Sequence, residues 1–350
     1  MDILVLAGAF LVILLGAELF TNGIEWFGRK LELAEGAVGS VLAAVGTALP
    51  ETMIPIIAIL SGGGSSASHG IGVGAILGAP FMLATLAMFV TGIAVLWAAR
   101  KRAAGDVMPV DTGVLAHDMR YFGIAYAVAI AAAFLPLEPA WPKWIVAVGL
   151  IAIYAWYVKG HFADGPADHQ DDLPPLRFNR IDPATPNTAD AVPRLRVVNL
   201  QVATAVSLIV LGAFFFVDAV EHLSTSIGIA PVILALVIAP IATELPEKFN
   251  SIIWVRQGKD TLAMGNITGA MVFQSTIPTV VALLFAADAW HFSADTRVAF
   301  ASAAVAFVAA GLIFIPMARS GRLRGRNLLV GGLFYVLYLG IVAASLAGVI

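Results

Sequence analysis

The 350-residue sequence contains no cysteine. This removes disulfides, thiolate catalysis and cysteine metal sites, and leaves the redox compartment open. Charge is scarce as well: Asp, Glu, Lys and Arg make up 12% of the chain, about half the share of an ordinary soluble domain. No HExxH spacing unites the histidines, His69, His117, His161, His169, His222 and His291, so a zinc enzyme is not expected. No Walker sequence is present to couple nucleotide hydrolysis. The first apolar stretch opens on Asp2 and lacks the basic start and small-residue cleavage site of a signal peptide, so it is expected to remain as a helix.

What the chain has in quantity is apolar surface. Hydrophobic residues make up 60% of it and the mean hydropathy is +0.91, so an integral membrane protein is expected. Several runs exceed the roughly 18 apolar residues that suffice to cross a bilayer. Spans are expected near 3–21, 37–60, 71–99, 121–138, 143–160, 197–220, 229–255, 261–287, 296–318 and 327–350, ten in all.

The basic residues orient these spans. With an external N-terminus, the inner loops carry Arg29 and Lys30; Arg100, Lys101, Arg102 and Arg120; Lys159, Arg177, Arg180, Arg194 and Arg196; Arg256 and Lys259; and Arg319, Arg322, Arg324 and Arg326. The outer loops carry only Lys143 and Arg297, and Lys248 lies within a span. That asymmetry is a strong positive-inside signal. Both termini are therefore expected outside, and the cluster at 319–326 is read as an orientation signal first and an anionic-lipid contact second.

Two Leu-Pro-Glu triplets, Leu49-Pro50-Glu51 and Leu245-Pro246-Glu247, sit within long apolar segments. A proline removes a backbone donor and crowds the carbonyl one turn earlier, so each triplet is expected to break its helix. A carboxylate at such a break within the bilayer is a functional-site hypothesis by default. The triplets belong to an internal repeat: a shift of 196 residues carries Leu15-Gly16-Ala17 onto Leu211-Gly212-Ala213, Glu25 onto Glu221 and Thr47–Glu51 onto Thr243–Glu247. A shift of 191 carries Gly74–Ala79 onto Gly265–Ala270, which leaves extra residues in the glycine- and serine-rich Ser61–Gly70, read as a loop. With five spans per repeat the second copy must enter from the opposite side, so the repeats are inverted, an architecture of many secondary transporters. The expected organisation is a first five-helix repeat over 1–160, a cytoplasmic linker over 161–196, partly mobile, and a second repeat over 197–350. The expected fold class is thus an all-α membrane protein of ten transmembrane helices, two inverted repeats with broken helices at the midplane.

These residues resemble the cation/calcium antiporter superfamily, whose best-known members are sodium/calcium exchangers. The resemblance rests on Gly46-Thr47-Ala48-Leu49-Pro50-Glu51 and the glycine pattern from Gly74. In the second half it rests on Ala242–Glu247, Gly258-Lys259-Asp260 and Gly265–Gln274. It implies that Glu51 and Glu247 bind a shared calcium ion, with Thr47, Thr243, Glu244 and Gln274 as further candidate ligands. Calcium chemistry suits such a set, since the ion takes about 6–8 oxygens from carboxylates, carbonyls and hydroxyls. The family's sodium-binding serines are replaced by Ala48, Glu244, Ala79 and Ala270, and its closing Asn or Asp by Leu83 and Gln274. These losses thin the flanking sodium sites.

The function expected is antiport, not an enzyme activity: a divalent cation, calcium by the resemblance, exchanged for sodium or protons. The alternatives are a proton-coupled exchanger of sodium, potassium, magnesium or manganese, and a family member that binds an ion without moving it. No cofactor is expected, the cation being cargo. The expected partners are metal ions and the lipid bilayer, with no nucleic acid, and the chain is expected to be monomeric in a prokaryotic inner or plasma membrane. Glu244 lies three residues before Glu247 on one helix face, where two carboxylates cannot both ionise at low cost. It is read either as a proton carrier or as the partner of Lys248 one turn on. Glu18, Asn22 and Asp218 are read as gating or proton-access groups, or as hydrogen bonds between helices.

Overall fold

A computed structural model of the chain describes residues 2–30, 48–163, 173–181 and 192–348, with the backbone alone at 2, 28, 161–163, 241–250 and 253. Helix dominates. Helix α1 is Asp2–Lys30, α2 Leu49–Ser61 and α3 Ser66–Met82, which runs through a π-helical turn, Leu83–Ala87, into α4, Met88–Ala98. Then come α5 Thr112–Ala131, α6 Trp141–Ala163, α7 Leu195–Ile227, α8 Pro231–Arg256, α9 Asp260–Phe285, α10 Arg297–Ser320, the short α11 Gly325–Leu328 and α12 Val330–Leu346.

Seven helical stretches of the described residues are long and apolar enough to cross a membrane: Ile3–Phe27, Ser66–Lys101, Trp141–Gly160, Leu195–Ile227, Asp260–Phe285, Arg297–Ser320 and Gly325–Leu346. A shorter apolar helix is Leu49–Ser61, and Pro231–Pro240 is the apolar opening stretch of α8. Residues 31–47, most of the first part of the expected second span, lie outside the described residues. Two expected boundaries are corrected by helix caps. The span expected from 121 begins at Thr112, because Asp111 accepts from the backbone N–H groups of Gly113 and Val114 at 2.9 and 3.1 Å. Hydropathy alone left this polar first third, with His117, Asp118 and Arg120, in a loop. The loop expected over Ser61–Gly70 is likewise cut short, since Ser65 caps α3 by accepting from Ser68 N at 3.1 Å.

Helices α1 and α7, repeat-equivalent by the shift of 196, lie against each other antiparallel. Phe10 meets Phe216 at the chain's start, and Asn22 meets Gln201 further on. At the crossing, a methyl added to Gly16 would lie 2.7 Å from Ile209 Cγ1 and 3.0 Å from Ala205 O. A methyl on Gly212 would lie 2.7 Å from Ile13 Cγ1 and 3.0 Å from Ala9 O. The shift carries each of these residues onto its counterpart, so the contact is symmetric under exchange of the halves. Small residues allow the close approach that takes the place of a hydrophobic drive between helices in lipid.

Helices α2, α3, α8 and α9 form the centre, each touching the other three. The α3–α8 contact runs parallel and is tight: Gly74 and Gly78 face the backbone of Val232 and Leu236, and a methyl on Gly74 would sit 2.1 Å from Val232 O. The α1–α7 pair packs on one side of this centre, and α5, α6, α10 and α12 on the other.

The basic face of the molecule is stitched between the halves. A short antiparallel β pair joins Val107–Met108 to Leu323–Arg324. Arg102, after α4, grips Asp260 at the start of α9 through both terminal guanidinium nitrogens, with Nη1 to Oδ1 at 2.8 Å, and Nη1 also donates to Val255 O at 2.7 Å. The two side chains are 7% and 0% exposed.

Part of the expected linker is built into the fold. Leu176 is buried with Trp26 and Val198, and Leu173 and Phe178 pack beside them. Asn22 Oδ1 accepts from Arg177 N at 3.0 Å and from Gln201 Nε2 at 3.0 Å, while Trp26 Nε1 donates to Pro174 O at 2.9 Å. Of the two readings of Asn22, hydrogen bonding between helices is the one this geometry fits. Glu18 pairs with Arg177 at 2.7 Å on the surface, and Asp218 lies exposed, 3.7 Å from His222.

Candidate cation site

The first triplet starts a helix. Ala48 is a turn residue with φ −81° and ψ 0°, and Leu49-Pro50-Glu51 forms the opening turn of α2. Proline is tolerated there because its missing N–H would have had no partner within the helix. Glu51 follows in the same turn, where unpaired backbone N–H groups and the helix dipole favour a carboxylate. It is 5% exposed.

The carbonyl of Ala48 draws both halves together. It accepts from Thr52 N at 3.1 Å, from Thr52 Oγ1 at 2.7 Å and from Gln274 Nε2 at 3.1 Å. Gln274 projects from α9, in the second half, and is 1% exposed. Its other amide atom, Oε1, is buried with no hydrogen-bond partner among the described residues. A buried acceptor left unpaired costs about 1–3 kcal/mol, and a cation would relieve that cost. Thr52 was not picked out by sequence. Its signal is position alone, next to Glu51 and one turn after Ala48.

The second triplet behaves differently. Helix α8 runs without interruption from Pro231 to Arg256, so the break expected at Pro246 is absent. One proline deprives a helix of one hydrogen bond and crowds one carbonyl. Here the helix is held on both sides of it, by α3 against Val232 and Leu236 and by Arg102 on Val255 O. Thr47 lies outside the described residues, as do the side chains of Thr243, Glu244, Glu247 and Lys248. Helices α2 and α8 touch. Ser251, one turn beyond Glu247 on the same face, is buried, and its hydroxyl has no hydrogen-bond partner among the described residues.

Where the resemblance would place sodium-binding serines and, in the first half, the closing Asn or Asp, the described positions are buried and apolar. Ala48, Ala79, Ala270 and Leu83 are 2%, 1%, 2% and 2% exposed. Among the described residues no cluster of three or more His, Asp or Glu side chains could hold a metal ion. Of the expected carboxylates, only Glu51 has a described side chain.

The family model for the sodium/calcium exchanger protein matches residues 1–160 and 199–347. No curated protein matches the sequence. Among solved structures, the crystal structure of an H+/Ca2+ exchanger, CAX, is 14% identical and superposes with a TM-score of 0.75, covering 97% of this chain and 82% of that one. The sodium-calcium exchanger NCX_Mj is 15% identical in one structure, with a TM-score of 0.59 over 97% of both chains. In another, soaked with Sr2+, it is 17% identical, with a TM-score of 0.60 over 97% of this chain and 99% of that one. At these identities the likeness is one of fold.

Proposed function

The chain belongs to the sodium/calcium exchanger protein family, and on that premise we propose that it is a secondary active antiporter, exchanging calcium for a counter-ion at a site shared by Glu51 and Glu247. Thr47, Thr243, Glu244 and Gln274 complete the proposed ligand set. The observation that carries the reading is the meeting at Ala48: Glu51 is buried in the first turn of α2, while Gln274 crosses from the other half to the same helix start with its carbonyl oxygen unpaired among the described residues. A site of apposed carboxylates within the bilayer is costly when empty. A cation or protons must therefore occupy it whenever it changes sides, and this enforces exchange over leak.

Protons are the counter-ion that this chain favours. Ala48, Ala79, Ala270 and Leu83 put buried hydrocarbon where flanking sodium would need oxygen, and the fold superposes on an H+/Ca2+ exchanger at TM-score 0.75. Glu244, beside Glu247, is the proposed proton carrier, since two carboxylates on one face cannot both ionise cheaply. The proposed architecture is ten spans in two inverted repeats, 1–160 and 197–350, joined by the 161–196 linker, and the antiparallel symmetric pairing of α1 with α7 supports it. The basic face is proposed as cytoplasmic, both termini as external and the chain as a monomer.

The test is calcium uptake by the purified chain in proteoliposomes under an imposed pH gradient or an imposed sodium gradient. Uptake driven by pH without sodium, with a pH dependence flattened more by Glu244→Gln than by Glu244→Asp, is the expected result. Uptake that requires sodium and ignores pH would return Glu244 to the role of partner for Lys248. No calcium movement under either gradient would overturn the proposal.

A further inference from the structure

Helices α5 and α6 form an antiparallel hairpin, turning through residues 132–140, so the start of α5 and the end of α6 lie at one membrane face. It is the face where Arg100, Lys101 and Arg102 end the preceding span. Between the two helices an open groove of about 540 Å³ runs down the outside of the molecule. Its two ends differ in chemistry. Toward the basic face it is walled by His117, Arg120 and Tyr121 on α5 and by Trp156 on α6, with Lys159 Nζ 5.6 Å from the Trp156 ring. One turn deeper it is walled by Ile124 on α5 and by Ala152 and Ile153 on α6. Arg120 and Lys159 are both exposed, and neither pairs with an acid among the described residues.

Asp118, two residues before Arg120, does not neutralise them. Asp118 is 1% exposed and turned inward, accepting from Tyr157 OH at 3.0 Å and from Thr268 Oγ1 at 2.6 Å. Those bonds also fix the groove's inner wall to α9, so the groove is a feature of the packed core and not of a loose helix. Two cations toward the basic face, with an indole beside them and aliphatic side chains one turn deeper, make a charge distribution that matches one ligand class.

We propose that this groove binds one anionic phospholipid, its phosphate between Arg120 and Lys159 and an acyl chain along Ile124, Ala152 and Ile153. A zwitterionic lipid gains the apolar contacts but not the net charge. A free phosphate gains the charge but not the apolar contacts. The preference expected from two basic side chains near an anionic headgroup is roughly thirtyfold.

The test uses the full chain in mild detergent with an equal mixture of phosphatidylglycerol and phosphatidylcholine, read by native mass spectrometry. One phosphatidylglycerol should be retained in strong preference, and inorganic phosphate should not displace it. The double substitution Arg120→Gln with Lys159→Gln should abolish the preference, whereas Arg100→Gln with Lys101→Gln, exposed on the same face but outside the groove, should leave it intact. Placement is checked separately with phosphatidylglycerol brominated on its acyl chain, whose quenching of tryptophan fluorescence should shrink in Trp156→Phe. Equal retention of the two lipids, a preference that survives the double substitution, displacement by inorganic phosphate, or quenching unchanged by Trp156→Phe would each overturn the proposal.

Discussion

Glutamine has nearly the shape of glutamate, so Glu51→Gln keeps the packing of the first turn of α2 and removes only the charge. Calcium exchange in proteoliposomes should fall to below roughly a tenth of the unmodified rate while membrane insertion is unchanged, because a buried carboxylate and its cation are required together. The same is expected for Glu247→Gln, and unchanged flux in either variant would remove that residue from the site. A second residue-scale expectation concerns stability. Asp260 and Arg102 are a buried pair, and taking one partner away leaves an uncompensated charge, at a cost of about 3–5 kcal/mol. Arg102→Ala should therefore lower the thermal transition in a detergent unfolding assay far more than Arg100→Ala at the neighbouring surface position. The sequence reveals these residues unevenly. Glu51 can be read from its triplet and from the repeat, because a proline beside an acid in an apolar run has few structural explanations. The bonds of Gln274 to Ala48 and of Arg102 to Asp260 cross 226 and 158 residues of chain, and no local pattern marks them.

Among the helices, close packing can be tested by adding a single methyl. At Gly74 it would collide with Val232 O, a backbone atom that cannot swing away. Forced shifts of this kind cost about 1–3 kcal/mol, so Gly74→Ala should reduce the thermal transition and the monodisperse yield. Gly123→Ala is the counter-case: nothing lies within 4 Å of a methyl there, and alanine suits a helix interior better than glycine by about 0.5–1 kcal/mol. Its stability should be unchanged or raised. Equal losses in both variants would mean that the close α3–α8 contact is not what sets Gly74 apart. Helix positions are legible from hydropathy because the lipid-facing runs are long. Helix starts are less so: Asp111 and Ser65 extend α5 and α3 into polar residues that a hydropathy reading gives to loops. Proline misleads in the other direction, since the same Leu-Pro-Glu begins α2 and lies inside α8. Neighbours on either side decide which, and a single sequence does not display them.

For the molecule as a whole, the repeat is visible in the sequence as matched letters, and in the structure as matched contacts at Gly16 and Gly212. That correspondence reaches beyond sequence comparison, because two helices related by the shift of 196 could have been parallel or apart. Their antiparallel crossing is what the proposed inverted repeat requires of two equivalent helices that meet. Orientation in the membrane rests on charge instead, and the absence of cysteine makes it directly testable, since any introduced thiol is the only one in the chain. Asp295, exposed between α9 and α10, is on the face proposed as external. Asp171, which lies outside the described residues, belongs to the linker proposed as cytoplasmic. A membrane-impermeant thiol reagent applied to intact cells should label Asp295→Cys and spare Asp171→Cys until the cells are opened. The opposite pattern would invert the molecule, placing the α5–α6 groove in the outer leaflet while leaving the pairing of the two halves untouched. Labelling of both from outside would break the proposed span count, which puts three crossings between the linker and the loop after α9.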